Sequence, residues 1–326
     1  MIRAPAAMPS KESVPDFLDR TNLEEFRWKT LLFGGLAVAG LVVWLTALSS
    51  LPAKVALPLL GGLAWEAIKN AQHWREWLEQ HPGHERVHPD RVREIEQQTV
   101  RVMADAVKAR AWFTRGIVVA IAIPSVLQLF TGLEHSVAVA SVDPVAIRNG
   151  EWWRLLGGTY LHGSPYHFIG NTSALLLYGA ILESKGSHLR LPLVYLLSCL
   201  GGSLASVLIP PDVPSIGASG GVVGVIAYLF LFSRRQSVQF PAAFRGATAS
   251  VFVGLIVAGA LGFWYIDNPG HAGGAAVGFV LAALIVDQAR NYDREVQLPI
   301  LDVFGWLAAA VLATGSVVTA AALIAR

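Results

Sequence analysis

The sequence predicts an all-α polytopic membrane protein, and two observations carry that reading. Of its 326 residues, 54% are hydrophobic and 15% charged, against about 25% charged in an ordinary soluble domain. The charges are absent from whole blocks that approach the roughly 20 residues a helix needs to cross a bilayer core. The positive residues also segregate. Candidate spans fall at 30–49, 52–67, 112–132, 166–184, 189–209, 217–233, 246–264, 270–287 and 303–324. With the N-terminal segment on the cytoplasmic side, 21 of the 25 Lys and Arg lie inside, and only Lys54, Arg148, Arg154 and Arg326 lie outside. That is the bias the positive-inside rule requires.

Each segment follows from this layout. Residues 1–29 read as a cytoplasmic N-terminal segment, with no small-residue signal cleavage site following promptly. Residues 30–67 read as a membrane hairpin. Its second arm holds Pro52, Pro58, Gly61 and Gly62 and either spans or re-enters. Residues 68–111 form a charged helical linker on the cytoplasmic side, whose charged helix reads as a solvated face. Residues 112–290 form a helical core, and 291–326 supply one extra C-terminal transmembrane helix. Inside the core, the outer loop 133–165 is too long to be a mere turn, and long loops in compact proteins are often functional. Trp152 and Trp153 in that loop are interfacial anchors first, and Arg154 ties the loop down or meets lipid headgroups.

The same numbers exclude several functions. The net charge of +2 follows from topology and points to no nucleic acid. No internal repeat and no midplane charge suggest a transporter. The lone Cys199 cannot form an internal disulfide and reads as a small buried hydrophobe. His81, His84 and His88 have a spacing that could ligate a metal. No cysteine joins them, so no metal is expected.

The chemistry lies in the polar residues of the apolar blocks, where burial in lipid is expensive. His167 and Asn171, in YHFIGN, are four apart and share one helix face. Ser219 opens a helix after Pro210, Pro211 and Pro214, and His271 opens another after Asn268-Pro269. The charge layout puts all three helix starts at the outer side. Gly217, Gly221 and Gly224 near Ser219, and Gly270, Gly274 and Gly278 near His271, have the small-residue spacing that lets membrane helices approach closely. Ser219 can then act as a nucleophile with His271 as general base and acid. The Ser219 N–H, the Asn171 amide and the His167 ring N–H are candidate oxyanion donors. Asp267 precedes His271 by four residues and reads as outer loop, which leaves no orienting carboxylate. Ser219 also lies in G-x-S-x-G, but no strand precedes it, so the soluble-hydrolase elbow fails on context.

The ordered set Trp153-Arg154, His167-x-x-x-Asn171, Gly217-x-Ser219-Gly220 and His271-x-x-Gly274-x-x-x-Gly278 resembles the rhomboid intramembrane serine proteases over about 112–290. NGEWWRLL and YLHGSPYH, with His162, resemble that family's first outer loop and the start of its second core helix. Glu183 matches the acidic position that closes that helix. The resemblance implies a six-helix core, a Ser219–His271 dyad, and an oxyanion hole of His167, Asn171 and the Ser219 N–H. It implies cleavage of other proteins' transmembrane segments near the outer membrane face, with the lipid bilayer as surroundings and no cofactor. Gly217, Gly220, Gly274, Gly278, Trp153 and Arg154 are its supporting positions, while His162 and Glu183 read as structural. The chain departs from the pattern at Val223, where many members carry an aromatic, and at Gly270, where many carry Ala. The family core leaves residues 1–111 unaccounted for. The alternative is a catalytically inactive rhomboid-like scaffold that binds membrane proteins, whose members typically lack the serine or histidine kept here. The expected location is a bacterial inner membrane with the N-terminus cytoplasmic.

Overall fold

The computed structural model describes residues 110–209, 213–236, 239–261, 266–286 and 299–325, with individual helical positions between 65 and 108. The chain divides into two compact units, residues 1–89 and 90–326. In the first, the described positions between 65 and 79 are helical. The hairpin expected over 30–67, apart from Trp65, lies outside the described residues, as do His81, His84 and His88.

Among the described residues, the second unit holds seven long helices. They are α1 (Trp112–Thr131), α2 (Pro165–Lys185), α3 (Arg190–Leu208), α4 (Ser219–Arg235), α5 (Ala242–Leu261), α6 (Asn268–Ile285) and α7 (Pro299–Ile324). Among the described residues the only strand-like feature is an isolated antiparallel bridge between Val142 and Ser215. Helices α1, α3 and α6, and Ile300–Ile324 of α7, are long and apolar enough to cross a membrane. The fold is that of an all-α polytopic membrane protein.

Helix starts follow local chemistry. Ser164 caps α2 by accepting the His167 N–H at 3.2 Å, with Pro165 in the first turn, where its missing N–H costs nothing. Asp267 caps α6 in the same manner, ahead of Pro269. Helix α1 has no cap of its own. Its first N–H groups are taken by Glu183 at the far end of α2, which accepts from Phe113 N at 3.1 Å, Thr114 N at 2.8 Å and Thr114 Oγ1 at 2.5 Å. The expected structural role of Glu183 is thus a cap lent by one helix to another.

Helix α4 is the centre of the bundle. Val222, Val225, Ile226, Tyr228, Leu229 and Phe232 are all buried, and α2, α3, α5 and α6 pack around it. Helix α7 lies against α1 and α3. It is pinned by two hydrogen bonds to backbone carbonyls, Tyr160 Oη to Leu312 O and Ser316 Oγ to Ala120 O, each 2.7 Å. The linker helix is more than a solvated face. Val102 and Ala106 join the core cluster, and Asp105 accepts Lys185 Nζ at 2.8 Å.

The outer loop is itself structured, with short helices at Leu133–Ala140, Pro144–Arg148 and Arg154–Gly157 and a 3-10 turn at Gly158–Tyr160. Arg154 is buried, donates from Nε to Glu151 at 2.7 Å and from Nη2 to Ala138 O at 3.0 Å. It ties the loop together from within. Trp152 and Trp153 remain exposed.

Candidate active site

Glycine backbones set the site's frame. A methyl added at Gly274 would lie 2.0 Å from Gly220 O, and one at Gly278 2.1 Å from Gly224 O. Helices α4 and α6 therefore touch main chain to main chain, which only a residue without Cβ permits. The seam on α4 is Gly220 and Gly224, four apart on one face. The expected stripe of Gly217, Gly221 and Gly224 is corrected in two places: Gly217 precedes the helix, and Gly221 faces Tyr195 and Cys199 of α3. One residue along a helix turns the side chain by about 100°, which is enough to change partner.

This contact brings the first turn of α4, which bears Ser219, against the first turn of α6, which bears His271. Ser219 is the first residue of α4 and neighbours Gly220. His271 follows Gly270, whose carbonyl oxygen lies 3.4 Å from where a Cβ of Gly220 would be. Both side chains are half-buried. Among the described residues, no hydrogen bond joins the Ser219 hydroxyl to the His271 ring.

His167 reaches the same place from α2. A Cβ built on Gly217 would stand 2.7 Å from His167 Cε1, 3.1 Å from His167 Nε2 and 3.7 Å from Ser219 Oγ. The His167 ring and the serine hydroxyl thus flank one point, kept open by a glycine. Gly217 also has φ of +138°, a region that side-chain-bearing residues rarely adopt. Asn171, one turn below His167, is buried, and its amide Nδ2 has no hydrogen-bond partner. Other buried side-chain atoms, His162 Nε2 and Arg154 Nη1 among them, are likewise without a partner.

The loop that launches α2 is clamped by α1. Gln128 pairs with the His162 backbone in both directions, Nε2 to His162 O and His162 N to Oε1, each 3.0 Å. Ser125 Oγ donates to Tyr160 O at 2.8 Å and lies 3.0 Å from His162 Nδ1. A hydroxyl has one proton, so Nδ1 carries the ring's proton and Nε2 bears the lone pair. His162 packs edge-on against the His167 ring, centroids 5.1 Å apart. Burial first, and then the His167 ring, push the His162 imidazole down to about 3.

Asp267 departs from expectation. It is the N-cap of α6 and points into the bundle. Oδ1 accepts the Gly270 N–H at 2.8 Å, while Oδ2 accepts the hydroxyls of Ser206, from α3, and of Ser215, the latter at 2.5 Å. Ser206, Ser215, Asp267 and Ser219 line one small polar cavity together with Thr159 and Ser203. Sequence reasoning passed over Ser125, Gln128, Ser206 and Ser215. The signal was available, since each is a polar residue inside or beside an apolar block.

The two departures have different surroundings. Val223 is buried with Ala227 and Ala275, under Phe252, Leu255 and Phe279. Gly270 faces Asp267: a methyl there would stand 2.5 Å from Oδ2 and 2.8 Å from Ser206 Oγ.

Residues 149–288 match the family model described as Rhomboid domain. The chain is 36% identical over 160 residues to Rhomboid protease GluP of Bacillus subtilis (strain 168), covering 48% of this chain and 30% of that protein. It is 29% identical over 179 residues to Putative rhomboid protease YdcA of the same organism, covering 52% and 87%. It is 31% identical over 127 residues to Inactive RHOMBOID-like protein 8 of Arabidopsis thaliana, covering 39% and 36%. The chain spans about a third of the length of the first curated relatives it matches.

Proposed function

We propose that the chain, whose residues 149–288 match the Rhomboid domain, is an intramembrane serine endopeptidase of the rhomboid family. Ser219 Oγ attacks the scissile carbonyl while His271 takes its proton. The tetrahedral intermediate collapses as His271 returns that proton to the leaving amine. Water, deprotonated by His271, then attacks the acyl-Ser219 ester and frees the carboxylic acid. The oxyanion is met by the Ser219 N–H, the Asn171 amide and a His167 ring N–H.

The observation that carries this reading is the space at Gly217, flanked by the His167 ring and Ser219 Oγ beside the main-chain contact of α4 with α6. The buried Asn171 amide, without a partner one turn from His167, fits an oxyanion role. The lack of a Ser219–His271 hydrogen bond among the described residues fits a resting site, where catalytic hydrogen bonds are often long until substrate arrives.

The substrates on this reading are transmembrane segments of other proteins, cut near the outer face. A helix hides its amides in its own hydrogen bonds, so cleavable segments carry Gly or Pro near the cut. The Lys and Arg distribution supports a cytoplasmic N-terminus; the bacterial inner membrane is the proposed location, though relatives come from Arabidopsis thaliana as well as Bacillus subtilis. A relative described as inactive keeps the binding-scaffold reading as the second choice.

A fluorophosphonate probe applied to folded wild type, Ser219→Ala and His271→Ala in detergent tests the proposal. Labelling of wild type that vanishes in both variants is expected. A folded wild type that takes no label leaves the scaffold reading. Equal cleavage of a Leu-rich reporter span and a Gly/Pro-containing one would refute the substrate rule.

A further inference from the structure

Asp267 is bonded to three parts of the site at once. Its Oδ1 holds the first turn of α6 through Gly270 N–H, one residue before His271. Its Oδ2 holds Ser215, four residues before Ser219, at 2.5 Å, and Ser206 on α3. The segment bearing the nucleophile and the helix bearing the base are therefore joined through one carboxylate. All three partners are donors, so the arrangement needs an acceptor at both oxygens, which a carboxylate supplies and an amide does not.

A second observation points the same way. Gly270 faces this carboxylate, and a methyl at that position would stand 2.5 Å from Oδ2 and 2.8 Å from Ser206 Oγ. Glycine at 270, where the resemblance leads one to expect alanine, leaves room for the Asp267–Ser206 contact, which a methyl would press on.

Resting on the proposed Ser219–His271 dyad, we infer that Asp267 is a positioning residue that sets the nucleophile segment in register with the base helix. It touches neither substrate nor the reacting atoms. Its effect reaches the reaction through Ser215 on one side and Gly270 on the other.

The test uses the full chain in detergent and reads the rate of fluorophosphonate labelling, turnover of a single-span reporter, and thermal unfolding. Asp267→Asn keeps a good helix cap but puts a donor against the two hydroxyls. Its labelling rate and kcat should fall on the order of tenfold or more, as misplacements of about 1 Å do, with KM and unfolding temperature close to wild type. Ser215→Ala leaves the cap untouched and should lower the same rates. The double variant should be no slower than the slower single one, because both break one link. Gly270→Ala should slow wild type but cost nothing further in Asp267→Ala. Wild-type rates in Asp267→Asn would show that only the cap matters and overturn the inference, as would losses that multiply in the double variant. If folded wild type takes no label at all, the protease reading falls and this inference with it. If wild type labels at Ser219 and Asp267→Asn labels equally fast, only the inference falls.

Discussion

Gly274→Ala is the perturbation whose consequence the structure fixes most closely. The new methyl would stand 2.0 Å from Gly220 O, where ordinary contact begins at 3.4 Å, so α4 and α6 must part locally by about 1.4 Å. Neither atom can step aside, because both belong to helix backbone or its immediate branch. Overpacking of this kind costs about 1–3 kcal/mol. Gly220 adjoins Ser219, and Gly274 is one turn from His271, so the parting opens the distance that the proposed proton transfer must cross. A misplacement near 1 Å costs on the order of 100-fold in rate. The assay is kcat on a single-span reporter reconstituted in liposomes, alongside thermal unfolding in detergent. Gly278→Ala is the control: its methyl meets Gly224 O at 2.1 Å, a similar clash one turn further from the site. Both variants should lose similar stability, and Gly274→Ala should lose far more turnover. Equal turnover losses, or a Gly274→Ala enzyme at wild-type kcat, would refute the link between helix spacing and catalysis.

Glu183→Ala strands the donors of Phe113 and Thr114 at the start of α1 and should cost about 3 kcal/mol in unfolding measurements. Arg154→Ala removes the ties to Glu151 and Ala138; it should lower stability by about 1–3 kcal/mol while slow labelling of Ser219 persists. His162 gives a pH signature. Its folded pKa is lowered to about 3, while the unfolded chain takes up the proton near 6.5. The unfolded state thus binds more protons as pH falls below about 6.5, and stability should fall by up to about 1.4 kcal/mol per pH unit until the folded ring also protonates. His162→Asn should flatten that slope in unfolding temperatures measured between pH 6.5 and 4.5.

The long helices were legible because length and lack of charge are local properties. The expected spans 112–132 and 189–209 match α1 and α3 to within one residue at each end. The candidate site residues could be picked out for a related reason, since each lies at or one turn inside the start of a helix. What escaped was every contact made across the fold. The Glu183 cap spans 70 residues of sequence, and Gln128 recognises a backbone, which has no sequence signature. Asp267 looked like loop because its acceptors' partners, Ser206 and Ser215, lie 61 and 52 residues away. The glycine seam was misread by a single residue, since three glycines within five positions leave helix phase open until the neighbour is known.

The bridge between Val142 and Ser215 has a consequence of another kind. Val142 N donates to Ser215 O at 2.9 Å, Ser215 N to Val142 O at 3.0 Å, and Gly217 N to Gly158 O at 2.9 Å. All three bonds run main chain to main chain. The seat of Ser219 is therefore indifferent to most side-chain exchanges in the outer loop but sensitive to its length. One inserted residue between 142 and 158 would slip the pairing and carry the serine's approach with it. Variation at this face of the molecule is expected as substitution, not as insertion or deletion.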